Sequence, residues 1–404
     1  MAKIRMKLAI VAALSVFAAI SSIAPVHAFA GEPAAHRQTV TNIRGYVAAV
    51  KQDRSLWALS TNSLFYQSAM GLLNGPYWQM DAVPFRLMDD VIAVAGTHSS
   101  RVYGEPGYGG NLYALQADGS LWFWENRGYW VRFQSADGEG LSLTGPGIDL
   151  RAEPAKLMGN VRAVAAGVDF TLAVTNDNTL WTWGANHRGQ LGDGSNFSRT
   201  EPLPVMSRVA YAGAGRERAW AVTLDGGLYV WGWDNGSHLG MFRGSKYFLS
   251  VPTRVKDGVI GASQNNDFIA TTFVILEDRS LWAWGSNQYG QLGAGRPMEA
   301  EVPVKILENV TRVWADIGNA IAVTQDGSVW MWGWNHLGQF GDDSPAFRFA
   351  PVRPASGIAA ATDGFTFVLT DQGLLKFKGV HVVDGPGLVR HSPVYLLDSV
   401  MLPE

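Results

Sequence analysis

The chain has 404 residues, of which 47% are hydrophobic and 17% are charged, and its formal net charge is −3. This apolar content is enough for a large hydrophobic core. The 46 glycines, the 16 tryptophans and the balance of 32 basic to 35 acidic residues are unlike a coiled coil, a disordered tail protein or an electrostatic nucleic-acid binder. Because the sequence has no cysteine, disulfides, thiolate metal sites and cysteine nucleophiles are excluded.

The N-terminal segment has the three parts of a secretory signal peptide. Three basic residues precede an apolar run from Leu8 to Ile23, and Ala28-Phe29-Ala30 supplies the small residues of a cleavage site. A membrane anchor is the alternative, but the run is short, contains serines and is followed by Pro25. We therefore expect residues 1–30 to be a signal peptide and the protein to be exported, to the periplasm or the extracellular space. Cleavage would leave 29 basic against 35 acidic residues, a balance poorly suited to nucleic acid or an anionic membrane surface.

One short pattern, an aliphatic residue followed by aromatic residues and glycine, recurs along the chain. Clear copies begin at Leu180, Leu228, Leu281 and Val329. Weaker copies at three further positions bring the number of repeat anchors to seven, these being Leu56, Leu121 and Leu374. An aspartate stands three residues before every anchor, and it predicts a tight hairpin between two apolar runs. These aspartates are Asp53, Asp118, Asp177, Asp225, Asp278, Asp326 and Asp371.

Each repeat unit contains four predicted strands. The hairpin joins a strand such as Leu172 to Thr175 to the Leu-Trp-x-Trp strand, whose two aromatic residues share one face. Another apolar strand lies upstream, as at residues 161–167, and a fourth begins at a proline. Because proline cannot donate to a central ladder, we expect the fourth strand to lie at the outer edge of each sheet. The prolines are Pro84, Pro154, Pro202, Pro252, Pro303, Pro351 and Pro393.

Seven four-stranded units predict an all-β fold, a seven-bladed β-propeller that occupies residues 31–404 as one domain. Separate small β-domains would leave the apolar faces of each sheet uncovered. The last proline strand, Pro393 to Leu397, has no unit after it. We therefore expect the N- and C-terminal strands to pair, so that Pro393 to Leu397 completes the blade that begins near Val40 to Val50 and closes the ring.

The sequence of residues 184–194, Gly-Ala-Asn-His-Arg-Gly-Gln-Leu-Gly-Asp-Gly, resembles the signature of the regulator of chromosome condensation (alpha-tubulin suppressor-like) repeat family. Related copies run over residues 285–293 and 333–341, with a weaker copy from Gly232. The resemblance implies a propeller. The eponymous eukaryotic member is a nuclear exchange factor for a small GTPase that docks on chromatin, which does not suit an exported acidic chain. A secreted bacterial β-lactamase inhibitory protein of the same family binds protein, so the resemblance favours a bacterial exported protein-binding member.

The loops between strands one and two and between strands three and four of each unit emerge on one side of the disc, here named the loop face. The opposite side is the hairpin face. Loops of variable length gather on the loop face, at residues 60–81, 97–111, 125–150 and 234–250, and insertions on one face commonly mark a binding surface. Aromatic and arginine side chains dominate interface energetics. The candidate partner-binding residues are Phe65, Tyr66, Tyr103, Tyr108, Arg127, Tyr129, Trp130, His187, Arg188, Arg216, Tyr289 and His336.

Other repeated residues are interpreted as structural. The tryptophans of the repeat pattern recur at strand spacing beside apolar neighbours, so we expect them to pack between blades. The repeated glycines and asparagines indicate loop geometry, with positive φ at glycine and asparagine bonded to its own loop. The tryptophans are Trp181, Trp183, Trp231, Trp282, Trp284, Trp330 and Trp332.

No recognisable catalytic, nucleotide-binding or metal-binding motif occurs, so no enzyme activity, cofactor or metal site is expected. Asp169, Asp267 and Asp363 stand at similar loop positions, where a ring of acids could bind a cation or act as a glycosidase pair. They are better explained as one polar residue repeated with the unit. The leading hypothesis is a monomeric, non-enzymatic propeller that binds a protein through the loop face. The alternatives are a propeller that binds glycan or an envelope polymer, with tyrosine and tryptophan as stacking platforms, and an enzyme with a cross-blade carboxylate pair.

Overall fold

The computed structural model describes residues 40–43, 46–60, 84–97, 110–125, 150, 152–233, 248–264, 271–295, 299–316, 318–335 and 347–353, and short backbone strands between 358 and 397. Within these residues every regular element is a β-strand. The predicted signal peptide, residues 1–30, lies outside them. No helix in the described part of the chain is long and apolar enough to cross a membrane.

The strands form seven four-stranded sheets, one for each repeat unit. The first sheet contains β1 (Val40–Ile43), β2 (Tyr46–Val50), β3 (Leu56–Ser60) and β4 (Phe85–Met88). The second contains β5 (Val91–Gly96), β6 (Leu112–Gln116), β7 (Leu121–Trp124) and β8 (Ala155–Met158). The third contains β9 (Val161–Ala166), β10 (Phe170–Thr175), β11 (Leu180–Gly184) and β12 (Arg199–Met206). The fourth contains β13 (Val209–Ala214), β14 (Arg218–Thr223), β15 (Leu228–Trp233) and β16 (Phe248–Lys256).

The remaining sheets continue in chain order. The fifth contains β17 (Val259–Gln264), β18 (Thr271–Leu276), β19 (Leu281–Gly285) and β20 (Ala300–Leu307). The sixth contains β21 (Val310–Asp316), β22 (Asn319–Thr324), β23 (Val329–Trp334) and β24 (Phe347–Val352). The seventh contains β25 (Ile358–Thr362), β26 (Phe367–Thr370), β27 (Leu375–Phe377) and β30 (Val394–Leu397), while β28 (Val382–Val383) and β29 (Leu388–Val389) pair with each other.

Each four-stranded sheet is an antiparallel meander, and the sheets are the blades of a β-propeller. The first strands of neighbouring blades contact one another from β1 to β21, and β25 of the seventh blade contacts β1. The fourth strand of every blade lies at the outer edge, which confirms the placement predicted from proline. The all-β propeller prediction is therefore confirmed.

The predicted closure of the ring by a shared blade is wrong. The strand β30 pairs with β27 of its own seventh sheet, while β1 pairs with β2 of the first. The physical reason is that each repeat anchor is already followed along the chain by its own proline strand, so every meander is completed locally. The two ends of the propeller meet instead through the contact between the innermost strands β1 and β25.

The aspartates before the anchors act as acceptors within the hairpins. The Oδ1 atom of Asp53 accepts the backbone N–H of Ser55 at 2.9 Å, and Asp278 accepts that of Ser280 at 2.9 Å. The left-handed residue is the next one, since Arg54 has φ of 64°. The aspartate therefore stabilises the turn by hydrogen bonding and does not itself adopt positive φ.

The two aromatic residues of the repeat pattern differ in burial. In the second position Trp231 and Trp332 are fully buried, and Trp332 packs with Phe273 of the fifth blade in a core shared by two sheets. In the first position Trp330 is half-buried, with the guanidinium of Arg353 5.2 Å from its ring centre. The core prediction is thus confirmed for the second position, while the first position borders the core.

Replacing Trp332 with alanine should destabilise the fold by about 3–5 kcal/mol, because a cavity opens between two sheets. Replacing its half-buried neighbour Trp330 should cost clearly less. Chemical denaturation of the two variants and the native chain measures both free energies of unfolding. Equal losses would contradict the assignment of the second position to the interblade core.

Candidate functional site

The glycine-rich loop of the third blade, residues 184–194, reaches across to the fourth blade. The backbone N–H of Gly194 donates to the carbonyl of Ser250 at 2.8 Å. The indole N–H of Trp231 donates to the carbonyl of Gln190 at 2.9 Å. This loop is named the third-blade clamp, because it bonds to both the edge strand and the core of the neighbouring blade.

The third-blade clamp is also bonded internally through Asn186. Its Oδ1 atom accepts the N–H of Leu191 at 2.9 Å, and its Nδ2 atom donates to Asp193 at 3.0 Å. The amide is completely buried. This confirms the prediction that the repeated asparagine forms hydrogen bonds within its own loop. These bonds explain how the clamp is ordered although it has no regular secondary structure.

The fifth blade repeats the arrangement toward the sixth in the loop of residues 285–295, named the fifth-blade clamp. Its Gly295 N–H donates to the carbonyl of Phe349 at 2.6 Å, and the indole of Trp332 donates to the carbonyl of Gln291 at 2.7 Å. Two clamps at equivalent positions show that the glycine-rich pattern is a device for joining blades.

Glycine is required where a clamp passes over the neighbouring tryptophan. Gly293 has φ of 79°, and a Cβ atom there would lie 2.7 Å from Nε1 of Trp332. Gly192 meets Trp231 in the same way, at 2.8 Å. A side chain at either position would combine left-handed backbone strain with a clash against a buried ring.

Replacing Gly293 with alanine should therefore destabilise the fold by more than the roughly 1–2 kcal/mol expected from left-handed backbone strain alone. Gly295 is the matched control, because its φ is 76° and a Cβ atom there would meet nothing within 4 Å. Thermal and denaturant unfolding of the two alanine variants give the comparison. If both variants lose the same stability, the close approach to Trp332 is not what selects glycine.

The third-blade clamp carries two of the predicted partner-binding residues to the edge of the fourth blade. The Nε2 atom of His187 lies 3.3 Å from Oε1 of Glu217. The guanidinium carbon of Arg188 lies 5.8 Å from the ring centre of Trp233, and that of Arg218 lies 5.7 Å from the same ring. Stacking on an aromatic ring fixes the direction of a guanidinium group.

A third arginine, Arg216, belongs to the same group. It is half-buried in the loop between β13 and β14, and its carbonyl accepts the N–H of Val168 from the third blade at 2.8 Å. Arg188, Arg216 and Arg218, together with Trp233, are named the arginine cluster. The loop that joins strands one and two and the clamp that joins strands three and four therefore meet on one face, as the meander predicts.

Glu217 is the buried carboxylate beside the arginine cluster. Burial alone would raise its pKa, but the hydrogen bond with His187 and the positive charges of His187, Arg216 and Arg188 outweigh burial and hold the pKa below its ordinary value of 4.5. The carboxylate is therefore ionised at neutral pH. It fixes His187 beside Arg188 on the loop face.

The pKa of Glu217 is lower in the folded chain than its ordinary value of 4.5. Its ionised form therefore stabilises the fold above pH 4.5, and this stabilisation is lost as the pH falls through the pKa of the folded state. The native chain should thus be more stable than Glu217→Gln at pH 7, and the difference should narrow below pH 4.5. Urea unfolding over a pH series measures this, with exposed Glu201→Gln as the control. A difference that does not change with pH would contradict the ionised pairing.

Tyr289 occupies the same loop position in the fifth-blade clamp as Arg188 in the third-blade clamp. Its ring lies 6.2 Å from that of Trp334, which is the counterpart of Trp233. Tyr289 also stacks on Phe347, with ring centres 6.3 Å apart, and Phe347 lies 6.4 Å from Phe349. Trp334 and Phe347 are cross-strand partners, so these rings form one compact group.

The structure thus brings His187, Arg188 and Arg216 together and places Tyr289 in a separate group. Sequence reasoning missed Glu217, Arg218 and the two tryptophans that support these groups. A signal for the tryptophans was present, since units four and six read Trp-Gly-Trp, whereas alanine and serine follow the glycine in units three and five. The remaining candidates lie outside the described residues, and these are Phe65, Tyr66, Tyr103, Tyr108, Arg127, Tyr129, Trp130 and His336.

The carboxylates proposed as a ring are described only in part. Asp169 is buried, while Asp267 and Asp363 lie outside the described residues. Where the chain is described, no group of three or more His, Asp or Glu side chains could hold a metal ion.

Comparison with known sequences identifies the repeat. Residues 161–190, 177–219 and 278–319 match models of the regulator of chromosome condensation (RCC1) repeat, and they include the third-blade and fifth-blade clamps. These segments are similar to repeats of the regulator of chromosome condensation family. A curated relative, the mitochondrial RCC1 domain-containing protein RUG3 of Arabidopsis thaliana, is 29% identical over 249 residues, 58% of this chain and 52% of the relative. The chain thus spans about half the length of that relative.

Several solved structures share the fold. The chain resembles Prp20p of Saccharomyces cerevisiae, studied for its binding to Gsp1p and histones, with 17% identity, a TM-score of 0.56 and coverage of 78% and 77% of the two chains. A chain in the structure of Kap60 bound to yeast RCC1 (Prp20) is 16% identical, with a TM-score of 0.58. The match covers 92% of this chain and 91% of that one. Human WBSCR16 is 19% identical, with a TM-score of 0.53, and the match covers 74% of this chain and 79% of that one. At these identities the likeness shows a common architecture.

Proposed function

We propose that this RCC1-repeat chain is an exported, non-enzymatic scaffold that binds a protein partner through its loop face. The observation that carries the proposal is the matched placement of Arg188 and Tyr289. Each side chain leaves a glycine-rich clamp and lies against a tryptophan of the next blade. Arginine and aromatic side chains that are held in place contribute most to protein interfaces.

The clamps favour binding because they are ordered before a partner arrives. Backbone and indole hydrogen bonds join the third-blade clamp to the fourth blade, and the guanidinium of Arg188 lies against the ring of Trp233. Little conformational entropy is then lost when a partner docks on Arg188.

The comparisons support a binding role. The solved relatives are described as binding Gsp1p and histones or as a complex with Kap60, and these statements concern those proteins. For this chain, the signal-peptide pattern of residues 1–30 supports export to the periplasm or the extracellular space. Residues 31–404 contain more acidic than basic residues, which favours a protein over nucleic acid as the partner.

Replacing Arg188 with alanine should weaken capture of the partner by about tenfold or more, as expected for an interface arginine. Arg254→Ala is the matched control, because Arg254 also stacks on an aromatic ring of the fourth blade, 5.8 Å from Tyr229, but lies beside the hairpin turn at Asp225. The tagged full chain is expressed in its source cells, cross-linked and purified. Quantitative mass spectrometry then compares the proteins captured by each variant.

The design distinguishes binding from stability. Arg216→Ala and Tyr289→Ala should reduce capture of the same protein, while unfolding midpoints stay close to that of the native chain. Equal capture by Arg188→Ala and Arg254→Ala would contradict the loop-face assignment. Release of a chemically altered partner or small molecule during capture would contradict a non-enzymatic role.

A further inference from the structure

Aspartate followed by glycine is a reactive dipeptide, because the glycine nitrogen can attack the side-chain carboxyl carbon of the aspartate and no Cβ atom on the glycine hinders it. The attack requires the peptide group to turn, so a hydrogen bond from the glycine N–H opposes it. The described residues contain several such dipeptides in turns and links of the propeller. Their aspartates are Asp118, Asp193, Asp225, Asp257 and Asp326.

The glycine N–H groups of these dipeptides differ in hydrogen bonding. Most of them donate to a backbone carbonyl at 2.8–3.0 Å, and these donors are Gly119, Gly194, Gly226 and Gly327. By contrast, the N–H of Gly258 donates no hydrogen bond to any residue that the structure describes. The peptide group between Asp257 and Gly258 can therefore turn without first breaking such a bond.

We propose that Asp257 is a site of spontaneous isomerisation to isoaspartate, with the amide nitrogen of Gly258 as the nucleophile. The nitrogen attacks Cγ of the protonated carboxyl group, and the hydroxyl leaves with the amide proton as water, which forms a succinimide ring. Water then adds to the α-carbonyl carbon and breaks its bond to nitrogen. The main chain now runs through Cγ, the former α-carbonyl is a free carboxylate, and no atoms are gained or lost overall.

The surroundings of Asp257 leave room for the ring. Its side chain is 75% exposed, and a Cβ atom on Gly258 would meet nothing closer than Cδ of Glu277 at 4.0 Å. The nearby guanidinium of Arg254 donates to the carboxylate of Asp257 at 2.7 Å and to that of Asp225 at 3.3 Å. Because one exposed arginine reaches both aspartates, this ion pair does not distinguish the two sites.

The site lies in the link between β16 and β17, which joins the fourth and fifth blades on the hairpin face. In this link the carbonyl of Gly258 accepts the N–H of Glu277 at 3.0 Å, and Val259 donates to the carbonyl of Gly226 at 3.0 Å. Isoaspartate adds one carbon atom to the main chain, so these two bonds should be disturbed. The clamps lie on the opposite face, and the inference is independent of partner binding.

The test is to incubate the folded full chain at pH 6 and physiological temperature for several weeks. Mass spectrometry of its proteolytic peptides, with electron-transfer fragmentation, then measures isoaspartate at each site. Asp225 is the matched control, because it is 49% exposed and pairs with the same arginine, while the N–H of Gly226 donates to Thr223 at 2.9 Å. Isoaspartate should form at Asp257 about fivefold faster than at Asp225, the factor that corresponds to one net hydrogen bond.

Further measurements separate the fold from the local sequence and from the ion pair. In concentrated urea the two sites should react at similar rates, and Arg254→Ala should keep the difference between them in the folded chain. Gly258→Ala should remove most of the isoaspartate at Asp257 and leave Asp225 unchanged. Equal rates at the two sites of the folded native chain would overturn the proposal. A difference that persists in urea, or that Arg254→Ala abolishes, would also overturn it.

Discussion

A single four-stranded sheet cannot cover both of its own apolar faces, and the contact between neighbouring blades is the interaction on which the rest of this structure depends. Fully buried tryptophans such as Trp231 and Trp332 fill the space between sheets, and their indole N–H groups are bonded to carbonyls of the preceding blade. The same residues therefore supply apolar burial and orientation. The glycine-rich loops follow from this contact, because they must pass directly over those indoles.

The loop face inherits its order from the interblade contact. Because the clamps are bonded to the next blade, side chains that leave them are held against surfaces of that blade. This accounts for the stacking of Arg188 on Trp233 and for the contact of Tyr289 with Trp334. Binding chemistry is thus built at the junctions of repeats, where each unit contributes one part of a group.

Most of the fold could be predicted from the sequence, because a repeated pattern reports the same local structure seven times. The anchors, the hairpins and the outer proline strands were all indicated by spacing and by the hydrogen-bonding limits of proline. The way in which the first and seventh blades meet was not predicted correctly. The order of strands along the chain is compatible both with a last blade shared by the two termini and with a last blade formed by the C-terminal strands alone. The site was predicted in part. His187 and Arg188 are visible in a surface loop, whereas Glu217 and Trp233 matter through contacts between units, which no single repeat reveals.

The fifth residue of each clamp has a further consequence for how such proteins diversify. Arginine stands there in the third blade and tyrosine in the fifth, while the hydrogen bonds that hold the two clamps are the same. Surface chemistry at this position can therefore change by single substitutions that leave the clamp hydrogen bonds intact. A lineage carrying this fold could acquire new molecular targets without first passing through unstable intermediates, and gene duplication of a unit would add another independently variable position.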